Sequence, residues 1–209
     1  MKNPYKLNTH YFGTHQIIAR QINNISGETV LDVGCNEGYL KTVVGKKKWY
    51  GIDFSMEALK KAKKNGYKKV IHSDLNKLSK LKSLQRFNII VFGDVLEHLV
   101  DPSKTINYFV TRHLKKGGTV IVSLPNVAHL PIRISLLVGK FNYTQSGILD
   151  KTHLHFFTKK TAINFCEKSG LTVKKISYSS NRFGLLIKII PALGTTFGHN
   201  LIMICQKDT

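Results

Sequence analysis

Four carboxylates and three histidines are the side chains whose types and spacing could do chemistry in this chain. Asp32, Asp53, Asp74 and Asp94 each follow an apolar run: Val30-Leu31, Tyr50-Gly51-Ile52, Val70-Ile71 and Ile89-Ile90-Val91-Phe92. If those runs are parallel strands, the four acids stand at the carboxyl edge of one sheet, where open α/β sheets bind ligands. Carboxylates gathered there repel one another unless a cation or hydrogen-bond donors compensate them. The pattern asks for a positively charged ligand carrying hydroxyl or amino donors and is hostile to a pyrophosphate. Only twelve residues of the chain are acidic, so their recurrence at corresponding positions is informative. Aspartate also favours turns after strands, which by itself accounts for one or two of the four. The histidines offer proton transfer near neutral pH. His153 and His155 are two apart and face the same side of an extended segment, and His98 follows the fourth apolar run. Two histidines so spaced also suit a metal, but no cysteine or third histidine lies close to them in sequence, and no metal site is expected. Each histidine has, besides, a plain reading as a packed, hydrogen-bonded residue.

The elements that must position these groups start with a strand turning sharply into a helix at Val30-Leu31-Asp32-Val33-Gly34-Cys35-Asn36-Glu37-Gly38-Tyr39-Leu40. Gly34 can take positive φ and let a ligand approach the backbone. Asn36 tolerates the left-handed region and can stand where a glycine would. A dinucleotide loop of the form G-x-G-x-x-G would need glycine at 36 and 39, where the chain has Asn36 and Tyr39.

Downstream the chain alternates. Strands are expected over 28–33, 49–52, 69–72, 87–92 and 119–124, and helices over 37–44, 56–65 with Ser55 as N-cap, and 101–114 with Pro102 in its first turn. Residues 8–25 are loosely helical, and Gly117-Gly118 reads as a stop. Such alternation predicts a parallel sheet covered by helices on both faces. After Pro125 the rhythm breaks into a long irregular connection, 125–156, with an apolar patch from Leu130 to Val138; connections of this length are usually functional covers. A helix at 158–168, a strand at 171–178, an apolar stretch at 183–190 and a last strand at 201–206 close the chain. No linker or repeat interrupts it, so one domain over 1–209 is expected.

The chain has 209 residues, a hydrophobic fraction of 42% and a formal net charge of +20. It has no apolar run long enough to span a bilayer, and Met1 to Arg20 lacks the apolar core of a leader peptide. Cys35, Cys166 and Cys205 lie far apart and read as reduced thiols of a cytoplasmic protein. The basic excess invites a nucleic-acid reading, but only Arg20, Arg86, Arg112, Arg133 and Arg182 among 32 basic residues are arginines. The lysines are spread along the chain, which argues against nucleic acid as the partner.

The segments 30–40, Tyr50–Ser55, His72–Leu75, Phe87–His98 and Gly117–Asn126 together resemble the successive motifs of class I S-adenosylmethionine (SAM) methyltransferases, over roughly residues 27 to 180. Asn36 departs from that family's D-x-G-x-G-x-G loop at its middle glycine. The resemblance implies a Rossmann-like α/β fold with a seven-stranded, mostly parallel sheet whose last strand is antiparallel, and SAM as cofactor. It implies that Asp53 binds the ribose hydroxyls, with Phe54 beside it, and that Asp74 accepts from the adenine amino group, with Leu75 against the ring. Gly34 and Gly93 would lie against the methionine moiety. Asp32 would hold the loop of Cys35, Asn36 and Gly38 and the ammonium side, and Asp94 and His98 would complete the cofactor pocket.

Methyl transfer to a hydroxyl needs a base, and His153, with His155 and Asp150, is the expected catalytic group. The segment Ile148–Thr158, with Pro125-Asn126, resembles methyltransferases of bacterial surface-polysaccharide pathways and, less closely, the O-methyltransferases of quinone synthesis. A sugar, glycan or related small-molecule hydroxyl is therefore the first acceptor expected. A membrane-held lipid or quinone precursor is the second, since Leu130–Val138 and Phe183–Leu193 are flanked by Lys and Arg and suit peripheral contact with the inner face of a membrane. A SAM-binding or RNA-associated protein without chemistry is the third reading.

Overall fold

Strand and helix alternate as the apolar pattern predicts. The computed structural model describes residues 7–81 and 84–207; residues 1–6, the start of the stretch read for a leader, lie outside them. The strands are β1 (Thr29–Val33), β2 (Lys48–Asp53), β3 (Lys69–His72), β4 (Phe87–Gly93), β5 (Leu114–Pro125), β6 (Leu171–Ser179) and β7 (Asn200–Lys207). They form one seven-stranded sheet in the order β3-β2-β1-β4-β5-β7-β6. β7 runs antiparallel to both β5 and β6, and the strand pairs from β3 to β5 are parallel.

Side-chain alternation sends each strand into two cores. Leu31, Val33, Ile90, Phe92, Val120 and Val122 pack on one face. That face is covered by α4 (Pro102–His113) and α6 (Lys159–Lys168). Val30, Ile89, Val91 and Ile121 pack on the other, under α1 (Thr14–Asn23), α2 (Tyr39–Val43) and α3 (Met56–Lys64). The Ser55 hydroxyl accepts from Ala58 N, 3.2 Å, at the start of α3, and Asp101 caps α4 in the same way through Lys104 N, 2.8 Å.

Two expectations are corrected. Gly117-Gly118 is not a stop: β5 begins at Leu114 and runs through both glycines, with a register shift against β4 between Phe87 and Ile89. Gly117 adopts φ +69, which lets the strand kink instead of ending. The connection at 125–156 is not wholly irregular, because α5 (Leu130–Leu137) forms within it, with Pro131 in its first turn. The apolar stretch near 183–190 becomes α7 (Gly184–Ile189), followed by a short 3-10 turn and α8 (Gly194–Phe197). Among the described residues no helix is long and apolar enough to cross a membrane.

Candidate functional site

At the carboxyl end of β1 the chain turns with Gly34 at φ +77 and Asn36 at φ +46. The loop is sewn onto β2: Gly34 N and Cys35 N both donate to Ile52 O, at 2.8 and 3.0 Å. A Cβ on Gly34 would come within 2.5 Å of Val95 Cγ2, so the loop lies hard against the turn after β4. Asp53 locks this arrangement. Its Oδ2 accepts from Asn36 N at 2.8 Å and its Oδ1 from Ser55 N at 2.9 Å. Each oxygen retains acceptor capacity beyond that one bond, so the buried carboxylate is oriented and not saturated. Gly38, at φ +79, ends the loop against Tyr67 and Ala62, where a side chain would collide.

The neighbouring acids differ in fate. Asp74 is exposed, and its Oδ1 accepts from Asn76 N and Nδ2 at 2.9 and 3.2 Å. Asp94 sits in the left-handed region at φ +53. Its Oδ1 accepts from Ser123 Oγ at 2.5 Å and from Asn200 Nδ2 at 2.8 Å, which ties the end of β4 to β5 and β7. Beside it, Gly93 has open space where a Cβ would stand, a bare floor for a ligand. His15 of α1 lies near Asp94; burial holds its imidazole below the usual value, with Asp94 acting in the opposite sense.

Three further side chains expected at the cofactor are buried. Asp32 does not stand on the rim. It is 3% exposed, faces the same core as Val30, and accepts from the Tyr67 hydroxyl at 2.6 Å. The reason is strand period: Leu31 and Val33 take one face, so Asp32 must take the other. Burial raises its carboxyl to about 7 against the partial relief of the Tyr67 bond, with Asp53 adding to the rise. The Cys35 side chain is buried among core residues and offers the crevice only its backbone. Leu75 is likewise buried in the core. Phe54, in contrast, is 76% exposed directly after Asp53 and presents an open ring at the edge.

A second cluster lies beyond β4. The 3-10 turn Leu96–His98 is stitched to the 150–157 segment, since Leu154 N and His155 N both donate to Glu97 O, at 2.8 and 3.2 Å. His98 and His153 pack edge to face with ring centroids 4.6 Å apart. The His98 Nδ1 lies 3.0 Å from Thr152 Oγ1 and 3.3 Å from Thr152 O, so it carries the proton and donates. Thr152 Oγ1 in turn donates to Asp150 Oδ1 at 2.8 Å. This relay from Asp150 through Thr152 leaves the lone pair of His98 on Nε2. Burial and the neighbouring His153 lower the His98 pKa, outweighing its bond to Thr152 and the acids Asp150 and Asp94. His98 is therefore neutral at pH 7, and it is half-buried.

His153 is nearly closed off. Its Nδ1 donates to Ile148 O at 3.0 Å, and its Nε2 lies 3.9 Å from Glu97 Oε1. His155 is tied to the turn after Leu96–His98, its Nε2 donating to Leu99 O at 3.0 Å. Asp150 acts on His98 through Thr152.

Sequence reasoning missed Glu97. It is fully buried, and neither carboxyl oxygen has a hydrogen-bond partner among the described residues. Burial above all, with Asp94 and Asp150 adding to it, pushes its pKa well up. Its one sequence signal was an acid immediately before His98. One ligand atom each from Glu97, His98 and His153 lie within 4.8 Å of one another, the spacing of a group able to hold a metal ion. Two surface depressions, of about 470 and 420 Å³, lie at the opposite edge of the sheet near Lys47 and Lys116, away from all these residues.

Comparison with known proteins follows the same lines. The sequence matches the family model of a methyltransferase domain over residues 24–182. The ubiquinone biosynthesis O-methyltransferase of Pasteurella multocida is 28% identical over 172 residues, covering 74% of this chain and 70% of that protein. Its mitochondrial counterpart in Candida albicans is 33% identical over 115 residues, covering 51% of this chain and 35% of that protein. Among solved structures, a SAM-dependent methyltransferase from Mesorhizobium loti superposes with a TM-score of 0.67 at 18% identity, over 93% of this chain and 98% of that one. The magnesium protoporphyrin IX methyltransferase of Synechocystis PCC 6803, solved with bound SAH, also gives 0.67, at 15% identity over 99% and 90%. At these identities the structural likeness speaks for the fold alone.

Proposed function

The chain belongs to the class I SAM-dependent methyltransferases, and from that premise we propose that it methylates a hydroxyl oxygen of a small-molecule acceptor. Bound SAM supplies an electrophilic methyl group on a sulfonium leaving group. The residues present suit it: Asp53 offers two oriented oxygens to the ribose diol, Phe54 an exposed ring beside it, Asp74 an acceptor further along the edge, and Gly93 an open floor. We read the whole chain as one such domain, with residues 125–157 as the cover over the acceptor.

The chain's own task is to align the acceptor, exclude water and take a proton. Alignment alone is worth roughly 7–11 kcal/mol in favourable cases. The observation that carries the reading is the half-buried His98, neutral, held by Asp150 and Thr152 and packed on His153 beyond the end of β4. In this reading His98 Nε2 receives the hydroxyl proton, while His153, the base expected from sequence, fixes the ring from behind.

The names of the Pasteurella and Candida relatives support a phenolic hydroxyl of a quinone precursor as the acceptor. The sugar or glycan hydroxyl suggested by the Ile148–Thr158 segment is the competing substrate. A screen with tritiated-methyl SAM over catechols and other phenols, nucleotide sugars, lipid-linked glycans and RNA decides between them. Label in phenols is expected, and label in sugars moves the assignment to the glycan class. SAM binding without label in any hydroxyl acceptor removes the catalytic reading.

A further inference from the structure

Large apolar side chains are not exposed at random. They concentrate on two segments, α5 with its continuation to Tyr143, and α7. Leu137 is 86% exposed and Ile189 69%, and Ile134, Val138, Leu185 and Ile190 are open as well. α7 buries Gly184 and Ile187 and still shows solvent an aliphatic outer side. A helix apolar on both sides has a second apolar environment to meet.

The two segments sit at one end of the sheet. Asn126, at the end of β5, donates from Nδ2 to Thr195 O and Gly198 O, at 3.1 and 2.9 Å. The His129 ring, at the start of α5, stacks on His199, with centroids 4.3 Å apart. Next along β7, Asn200 holds Asp94 at the cofactor edge. The exposed aliphatic face therefore flanks the site.

Its surroundings are cationic. From Pro102 to Lys207 the only acidic residues are Asp150, which is buried, and Glu167. Arg133 and Lys140 flank the first apolar segment, and Arg182 and Lys188 the second, all exposed. This combination selects the occupant. A second copy would set like charges against one another. A nucleic acid would meet the cations but leave the leucines and isoleucines without partners. An anionic bilayer meets both, with acyl chains for the aliphatics and phosphates for the cations.

We infer that α5 and α7 form a docking face for an anionic membrane surface, laying the acceptor side of the site against the bilayer. The face does not depend on which hydroxyl is methylated, and SAM binding is a separate readout, so the two assignments fail independently. The test is co-sedimentation of the full chain with phosphatidylcholine vesicles with and without phosphatidylglycerol. Binding is expected to the anionic vesicles, to weaken at high salt, and to fall about tenfold or more in the paired variant Leu137→Ser/Ile189→Ser. Both side chains are exposed, so the variant retains the fold, checked by unchanged SAM affinity. Equal binding to both vesicle types, or binding unchanged in the variant, overturns the inference. So does a concentration-dependent dimer that the same substitutions abolish without any vesicle binding.

Discussion

The proposed cofactor edge and the proposed acceptor side are built by opposite means. From Gly34 to Asp53 the site is made of backbone: three left-handed residues, two amides on Ile52 O, and a carboxylate clamped by Asn36 N and Ser55 N. Every partner lies on β1, β2 or their immediate loops. From His98 to His155 the site is made of side chains brought together across more than fifty residues. The first half is rigid by local geometry and gathers acids. The second gathers histidines around the buried Glu97. Binding and chemistry should therefore separate cleanly under mutation.

The largest separation is expected at His98. His98→Ala should cut turnover by about 10²–10⁴-fold and leave SAM affinity within a few-fold by calorimetry; equal loss of both would merge the two regions. The wild-type rate should fall on the acid side through a pKa below 6.5, because burial and His153 hold the His98 imidazole below that value. An acid limb at or above 6.5 would point to a different base.

Asp53→Ala should do the reverse. It removes an oriented carboxylate and leaves two backbone N–H groups without an acceptor, costing about 2–3 kcal/mol of SAM affinity, roughly 10²-fold. Retained affinity would show that the edge does not depend on this clamp. Next comes Gly34→Ala, which forces a side chain into φ +77 and onto Val95. A loss of about 1–3 kcal/mol in unfolding free energy is expected, while the exposed Leu137→Ser should change stability by less than about 0.5 kcal/mol.

A pH slope tests the buried acid of the first region. Asp32 has an ordinary value of 3.8 and is raised to about 7 in the fold. Between those values the native state holds a proton that the unfolded state has released. Stability therefore falls with rising pH across that window, by about 1.4 kcal/mol per unit, and levels off above pH 7. Asp32→Asn should flatten the profile from pH 4 to 7 in urea titrations; an unchanged slope would place the proton elsewhere.

Much of the cofactor half was legible from sequence. Strand ends, the turn at Gly34 and Asn36, Ser55 as a cap and Asp53 as the pivotal acid all rest on periodicity and φ preferences that act within a few residues. Asp32 misled because a rim position and a buried one differ only by which face of β1 an odd or even residue takes. Glu97 and the His98–Thr152–Asp150 relay were not legible, because residue 98 and residue 152 carry no local sign of meeting. Gly117-Gly118 read as a stop because nothing local shows that Leu114, on their near side, already pairs with Phe87 of β4.

Local chemistry in the sequence determined where strands begin and end, which loop can approach a ligand, and which acid closes it, since those follow from side-chain period and allowed dihedrals. Only the tertiary structure decided which acids are buried, which histidine Thr152 and Asp150 hold and which aliphatics remain uncovered. Those outcomes depend on desolvation and on partners distant in the chain, quantities that exist only once the sheet has assembled.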